Sequence, residues 1–339
     1  MRTPLATRTA RTGLALGLAL TLTGCAPDLP APQPRAVPAV PPPATTPEQS
    51  DRILADLGAV LAAADTALSA PALASRVSGP ALAARTAEYA VAGATAGAQP
   101  VTALPVAAQT VVVPSTTEWP RTQIVVTEQP DDLSSPRLLV LRQESPRAAY
   151  TLWGWARLLP GAQMPATATP TTGSAPLPAD APGLVATPAD VAAQYADLLA
   201  NGAGSAFAAS FTPTDPYREL IATGRAENQR LAASASGIFT ETYVAVPDGV
   251  VAHATADGGA LVVAEMTSSS ALTVSAASIP IPIEFAAVSG GAVPPGAVLR
   301  NSLAVTYSDV VVFYVPPAAA AAPIQVLGAE HTFTSASGS

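Results

Sequence analysis

Apolar residues along this chain fall into two kinds of pattern, and each kind occurs twice. Ile53, Leu57, Val60, Leu61, Ala64 and Leu68 are spaced three or four apart, which puts them on one face of a helix. A start signal precedes them: Thr46 as N-cap, Pro47 at the first helical position and Gln49 three residues after the threonine, the composition of a capping box. A second helix is expected from Pro80 to about Val91, with Leu82 and Tyr89 among its contacts. Short runs rich in β-branched residues then take over at 110–113, 122–128, 138–142 and 148–159, separated by proline or acidic turns, and these read as strands. From Pro160 to Pro182 almost no large apolar residue appears, as in a linker. The first pattern returns at Thr187-Pro188-Ala189-Asp190, followed by Val191, Tyr195, Leu198 and Leu199 and then by a helix from Pro216 to about Leu231. Strands are expected again at 238–246, 250–256, 260–267, 303–307, 310–315 and 324–334. Asp257-Gly258 marks a hairpin between two of them, because glycine accepts the positive φ of a tight turn.

The order helix, helix, strands, given twice, predicts an α+β protein of two tandem units. Each would have N-terminal helices packed on a curved antiparallel sheet. In element order such a unit resembles the NTF2-like and cystatin-like folds; a β-sandwich carrying short helices is the alternative. The expected boundaries are a signal peptide at 1–24, a proline-rich tether at 25–45, a first domain at 46–160, a linker at 161–186 and a second domain at 187–335.

Residues 1–24 have the layout of an export signal: Arg2, Arg8 and Arg11 without an acidic residue, an apolar run from Leu14 to Leu22, and small residues after it. The run is too short to span a bilayer, which takes about 20 residues. Leu22-Thr23-Gly24-Cys25 resembles the lipobox of bacterial lipoproteins: Leu, a small residue, Gly or Ala, then Cys. That resemblance implies lipidation of the Cys25 sulfur, cleavage before it, palmitate-type acyl chains, and a place on the extracytoplasmic face of the cell membrane. Buried acyl chains contribute about 0.8 kcal/mol per methylene, so two or more hold a soluble domain at the surface. Eight prolines between 27 and 43 follow the cysteine. At about 3.1 Å per residue, an extended tether of this length reaches roughly 60 Å.

Loss of residues 1–24 removes three arginines and no acid, so the formal net charge falls from −8 to −11. An acidic chain is a poor partner for nucleic acid, which needs clustered cations. All 16 basic residues are arginine, and with the abundance of Ala, Pro, Gly and Val this points to a GC-rich, actinobacterial composition. Cys25 is the only cysteine. Once lipidated it leaves neither a disulfide nor a thiol nucleophile, so the folded part must hold by packing.

Sequence signatures of catalysis are missing. There is no nucleophile elbow, phosphate loop, zinc-protease motif or dinucleotide fingerprint, and no cofactor, metal or catalytic residue is expected. His253 and His331, the two histidines, lie in ordinary strand patterns and read as structural. Asp131, Asp132 and Glu144 near Arg137, Arg142 and Arg147 read as solvated turn charges. The most distinctive stretch is Tyr150 to Pro160, where period two puts Thr151, Trp153, Trp155 and Arg157 on one face. Trp153, Trp155 and Arg157 could stack on a flat or sugar-like ligand, against the commoner use of such tryptophans in a core. Glu241 and Tyr243 share a face of a later strand and are the candidates for a carboxylate-and-tyrosine chemistry.

The Trp153-Gly-Trp-Ala-Arg-Leu-Leu-Pro-Gly161 strand, behind a lipobox and ahead of a proline-rich linker and a second α+β unit, resembles a group of uncharacterised actinobacterial lipoproteins. The resemblance implies an exported, anchored protein and brings no functional residue with it. The sequence favours a non-enzymatic binding or interaction module whose partners are the membrane, through Cys25, and a cell-wall component or envelope protein. An exported NTF2-like isomerase or dehydratase and an apolar-ligand carrier are the alternatives. Nothing in the sequence fixes an oligomeric state.

Overall fold

A computed structural model of the chain describes residues 39–276 and 278–338. The expected signal peptide, Cys25 and the tether up to residue 38 lie outside the described residues. The chain joins the fold at Pro43, which bridges Ser115, and at Ala44, whose N–H donates to the Pro114 carbonyl at 2.8 Å. No helix among the described residues is long and apolar enough to cross a membrane.

Helix α1 spans Pro47–Ala67. Its capping box forms as expected: Gln49 N–H donates to Thr46 Oγ1 at 3.3 Å, and the Thr46 N–H donates to Gln49 Oε1 at 2.8 Å. Two donors that the helix start would leave unpaired are thereby satisfied. Helix α2 spans Gly79–Ala94, and strands β1 (Ala108–Val112), β2 (Arg121–Thr127), β3 (Arg137–Gln143) and β4 (Thr151–Leu158) follow as a meander. Beyond these come α3 (Pro188–Asn201), α4 (Pro216–Ser234), β5 (Phe239–Ala254) and β6 (Ala260–Thr273). A small appendage of β7 (Ile279–Pro280), α5 (Ile283–Ala287) and β8 (Val298–Leu299) precedes β9 (Ser302–Val315) and β10 (Gln325–Gly338). Strands expected as pairs, 238–246 with 250–256 and 303–307 with 310–315, are each one long strand; β5 absorbs its break as an irregularity between Ala245 and Val250.

The protein is α+β, with eight strands in a single antiparallel sheet ordered β1-β2-β3-β4-β10-β9-β6-β5. The strands of the two expected units are thus joined rather than separate. The junction is narrow: Arg157 and Leu158 of β4 pair with Ala329 and Gly328 of β10. A Cβ on Gly328 would lie 2.9 Å from the Arg157 carbonyl oxygen, so this close backbone approach requires glycine.

The sheet curls, and its inner face packs one half against the other. Ile124, Leu138, Val140 and Trp153 from the first half meet Leu261, Val263, Val310, Val312 and Leu327 from the second. Outer faces are covered by helices. Leu54, Leu57 and Leu61 of α1 pack with Leu139, Leu141 and Trp155, while Val191, Tyr195 and Leu198 of α3 pack with Val262, Val311 and Phe313. Cover on both faces explains the unbroken apolar run Leu138-Leu139-Val140-Leu141, every residue of it buried.

The segment expected as a linker does more than connect. Ser174 N–H donates to the Val113 carbonyl at 2.8 Å, and the Ser115 N–H donates to the Ser174 carbonyl at 2.9 Å. Immediately beyond, Ala254 N–H donates to Ala175 and Leu177 N–H donates to Ala252, both at 2.9 Å. A proline-rich strap therefore bonds to the β1 end and to β5, the two edge strands, and covers edges that would otherwise offer unpaired backbone groups. His253, fully buried beneath it, reaches from β5 to β2, with Nε2 3.0 Å from Thr122 Oγ1. Burial lowers its pKa to about 4, so it is neutral at physiological pH.

Candidate functional site

The four long strands of the second half extend past the inner core, and there their outer face carries polar and aromatic side chains. Register brings them together. Glu241 pairs with Ser270 and Tyr243 with Ser268 across β5 and β6; Ser268 pairs with Tyr307 across β6 and β9; Asp309 pairs with His331 across β9 and β10. Period two along each strand keeps these residues on one face. Helix α4 lies over them, started by Asp215, whose Oδ1 accepts the Arg218 N–H at 2.7 Å, with Pro216 at the first position. Facing the sheet, α4 offers Ile221, then Gly224 and Asn228. A Cβ on Gly224 would meet nothing within 4 Å, which marks open space beneath the helix. The space is a cleft of about 220 Å³, and Glu241, Tyr243, Ser268, Ser270, Tyr307 and His331 form its sheet side. An apolar chamber of about 150 Å³ adjoins it, lined by Phe239, Leu272, Phe285 and Val305 and sharing Asn228, Ser270 and Tyr307 with the first.

At one end of the cleft His331 is held on two sides. Its Nδ1 hydrogen-bonds Oδ1 of Asp309, a residue with no exposed surface, and Tyr217 O–H donates to the same oxygen at 3.1 Å. Burial, and after it the charge of Asp309, pushes the Tyr217 phenol well above its ordinary pKa, so it remains a donor. The Tyr307 ring stacks on the imidazole at 4.2 Å and 9°. With Nδ1 committed to Asp309, Nε2 is the nitrogen left for the cleft. At the other end Glu241 Oε2 accepts from Arg225 Nε at 2.7 Å and from Tyr243 O–H at 3.2 Å. Between the ends, Ser268 is 3 % exposed, and its Oγ has no hydrogen-bond partner among the described residues. A buried hydroxyl left open costs free energy, and it is the feature a bound polar group would satisfy.

The residues singled out from sequence are distributed differently. Trp153 and Trp155 do not share a face, because β4 contains a bulge: Val140 pairs with Gly154 but Leu141 pairs with Leu152, which leaves Trp153 as the extra residue. Trp153 packs into the core between the halves. Trp155 packs under the helices, with the Arg85 guanidinium 5.4 Å from its ring centre. Both are buried, Arg157 is exposed, and none of the three lines the cleft. Glu241 and Tyr243 do line it, and so does His331, which the strand pattern marked as structural. His253 is buried under the strap and faces no cleft.

A larger, shallower hollow of about 530 Å³ beside α1 is bordered by Arg52, Asp56, Arg76, Arg121 and Tyr150. In it Arg76 pairs with Asp56 at 2.7 Å and Arg121 lies over the Trp119 ring at 4.0 Å, while the buried Tyr150 hydroxyl has no hydrogen-bond partner among the described residues. The cleft under α4, which holds a histidine fixed by a buried acid and adjoins an apolar chamber, is the better-built site.

A family model described as a domain of unknown function (DUF8094) matches residues 41–338, across both halves and the strap, and the chain belongs to that family. No curated protein and no solved structure matches it.

Proposed function

We propose that this family member is a lipid-anchored protein of the cell envelope that binds a small amphiphilic molecule in the cleft under α4. The observation that carries the reading is the pairing of a polar chamber, holding His331 and the open Ser268 hydroxyl, with an apolar chamber that shares its wall. A ligand with one polar end and an apolar body satisfies both. Support for the anchor is the Leu22-Thr23-Gly24-Cys25 motif, with the proline-rich tether giving the folded part reach from the surface. A binding role needs no catalytic motif, which fits the sequence, and it leaves a cell-wall component among the ligands to be tried. Each half sets two helices against four strands, and we read the halves as two units fused through one sheet; the NTF2-like likeness rests on that order of elements.

The test uses the full lipidated chain in lipid nanodiscs, with 4-butylphenol as an amphiphilic probe and empty discs as the blank. Calorimetric titration should show saturable binding, and Gly224→Phe, which sends a large side chain into the space under α4, should abolish it. Equal binding by both forms would refute the assignment of the cleft. For the anchor, Cys25→Ala should move the protein from the membrane fraction to the soluble fraction; unchanged membrane association counts against lipidation.

A further inference from the structure

We infer that the cleft takes a ligand bearing an acidic hydroxyl, an electron-poor phenol or an enol, and that His331 Nε2 accepts the hydroxyl proton when the ligand binds. The inference rests on the cleft being the binding site and names the chemistry of what fills it.

Three observations lead there. First, among the described residues His331 is the one base in the cleft with a nitrogen uncommitted: Glu241 is engaged by Arg225 and Tyr243, while Nδ1 of His331 is fixed by Asp309, itself held by Tyr217. This arrangement orients the ring, sets Nδ1–H as the donor to Asp309, and places a carboxyl group where it stabilises the imidazolium once Nε2 gains a proton. Second, the wall is aromatic where the ligand's polar end would sit. Tyr307 stacks on the imidazole, and Tyr243 also lines the cleft, so aromatic side chains are there to meet a planar ring. Third, Ser268 Oγ is open and buried on the cleft floor, a hydrogen-bond partner for the ligand farther along the cleft.

Acidity narrows the class. An ordinary imidazole has a pKa of about 6.5, and a simple phenol such as a tyrosine side chain about 10. An aliphatic alcohol is a weaker acid still and would keep its proton. A carboxylic acid, ionised from about pH 4 upward, would enter with its proton already lost to solvent and would have none to pass to Nε2. A hydroxyl acid matched to imidazole avoids both problems. In the step itself the ligand O–H bond breaks, its electron pair stays on oxygen, and an N–H bond forms at Nε2. The imidazolium keeps its Nδ1–H toward Asp309, and no other reactant is consumed.

4-Nitrophenol is a suitable probe, since its anion absorbs in the visible and its neutral form does not. The full lipidated chain in nanodiscs is titrated with it, against empty discs, at a pH where the free probe is mostly un-ionised. Wild type should show the anion band growing to saturation. His331→Gln, checked for an unchanged thermal unfolding transition, should bind the probe by calorimetry yet lose the band. Bound probe that stays neutral in wild type, or an equal band in His331→Gln, overturns the proton transfer and leaves the cleft assignment standing. Binding of 4-butylphenol without binding of 4-nitrophenol overturns the ligand class. Failure of both probes overturns the cleft assignment and this inference with it.

Discussion

Replacing His253 by glutamine tests how the sheet is closed. In the folded protein this imidazole has no exposed surface, and burial lowers its pKa from 6.5 to about 4. The sign follows from where protons bind. Between these values the folded form stays neutral while the unfolded chain takes up a proton, so stability falls as pH falls through the window and is fully present above about pH 6.5. At 1.36 kcal/mol per pKa unit, a difference of that size amounts to about 3 kcal/mol lost between pH 7 and pH 4. Glutamine removes the titration and keeps a side chain able to meet the Thr122 hydroxyl, losing about 1 kcal/mol at neutral pH for a poorer hydrogen bond. Urea unfolding of both forms, followed at pH values from 7.5 down to 4, isolates the histidine because every other titrating group cancels in the difference. Wild type should be the more stable form at neutral pH; its advantage should reverse near about pH 6, and at pH 4 the glutamine form should be ahead by about 2 kcal/mol. A stability difference independent of pH would mean that His253 is solvated in the folded state. The strap then does not seal β5 against β2, and the account of the curl is wrong.

Other substitutions probe separate links. Gly328→Ala puts a methyl 2.9 Å from the Arg157 carbonyl oxygen at the narrow junction of the halves; a loss of about 1–3 kcal/mol is expected in denaturant unfolding, and an unchanged midpoint would show that β4 and β10 do not need their close approach. Gly224→Ala, in the interior of α4 with free space around its Cβ, should raise stability by about 1 kcal/mol, read as a higher melting temperature. Arg85, whose side chain is fully buried, pairs with Glu88 at 2.9 Å. Arg85→Ala should cost about 3–5 kcal/mol, whereas the double change Arg85→Met with Glu88→Leu should be close to neutral, because only the first leaves a buried charge unpaired.

Local chemistry was legible in the sequence, and remote pairing was not. Both Thr-Pro helix starts and the Asp257-Gly258 turn depend on residues within one turn of each other; they form as expected, with Thr187 Oγ1 accepting the Asp190 N–H at 3.2 Å and Gly258 at φ 83°. The joining of the halves depends on residues 157 and 328, which no periodicity relates. Composition hid the strap, since a run of Pro, Ala and Thr looks the same whether its carbonyls face water or an edge strand. Alternation misplaced Trp153 because a bulge adds one residue to the count and turns the side chain over. The His331–Asp309 pair was lost in the same way. Counting back from the Gln325–Tyr314 pair without interruption sets Glu330 opposite Asp309, and only the irregularity between Val326 and Gly328 brings His331 there. The usable signal was Asp309 itself, an acid at the head of the apolar run Val310-Val311-Val312-Phe313, where burial demands a partner.

Why one half is closed and the other open follows from two helical stripes. Toward its sheet α1 presents Leu54, Leu57, Leu61 and Ala64, all buried. The corresponding stripe of α4 runs Tyr217, Ile221, Gly224, Asn228, Ala232, and of these only Tyr217, Ile221 and Ala232 are buried. Across the three turns between Ile221 and Ala232 the helix withdraws its side chains or makes them polar, and the strands beneath answer with Ser268 and Ser270 where the first half has Leu139 and Leu141. Apolar burial of about 25 cal/mol per Å² is given up over that patch, while α3 and the inner core keep the half folded around it. The first half therefore serves as the scaffold to which the sheet and strap are fixed. In the second half hydrophobic burial is missing over the cleft, and it is there that the proposed ligand site lies.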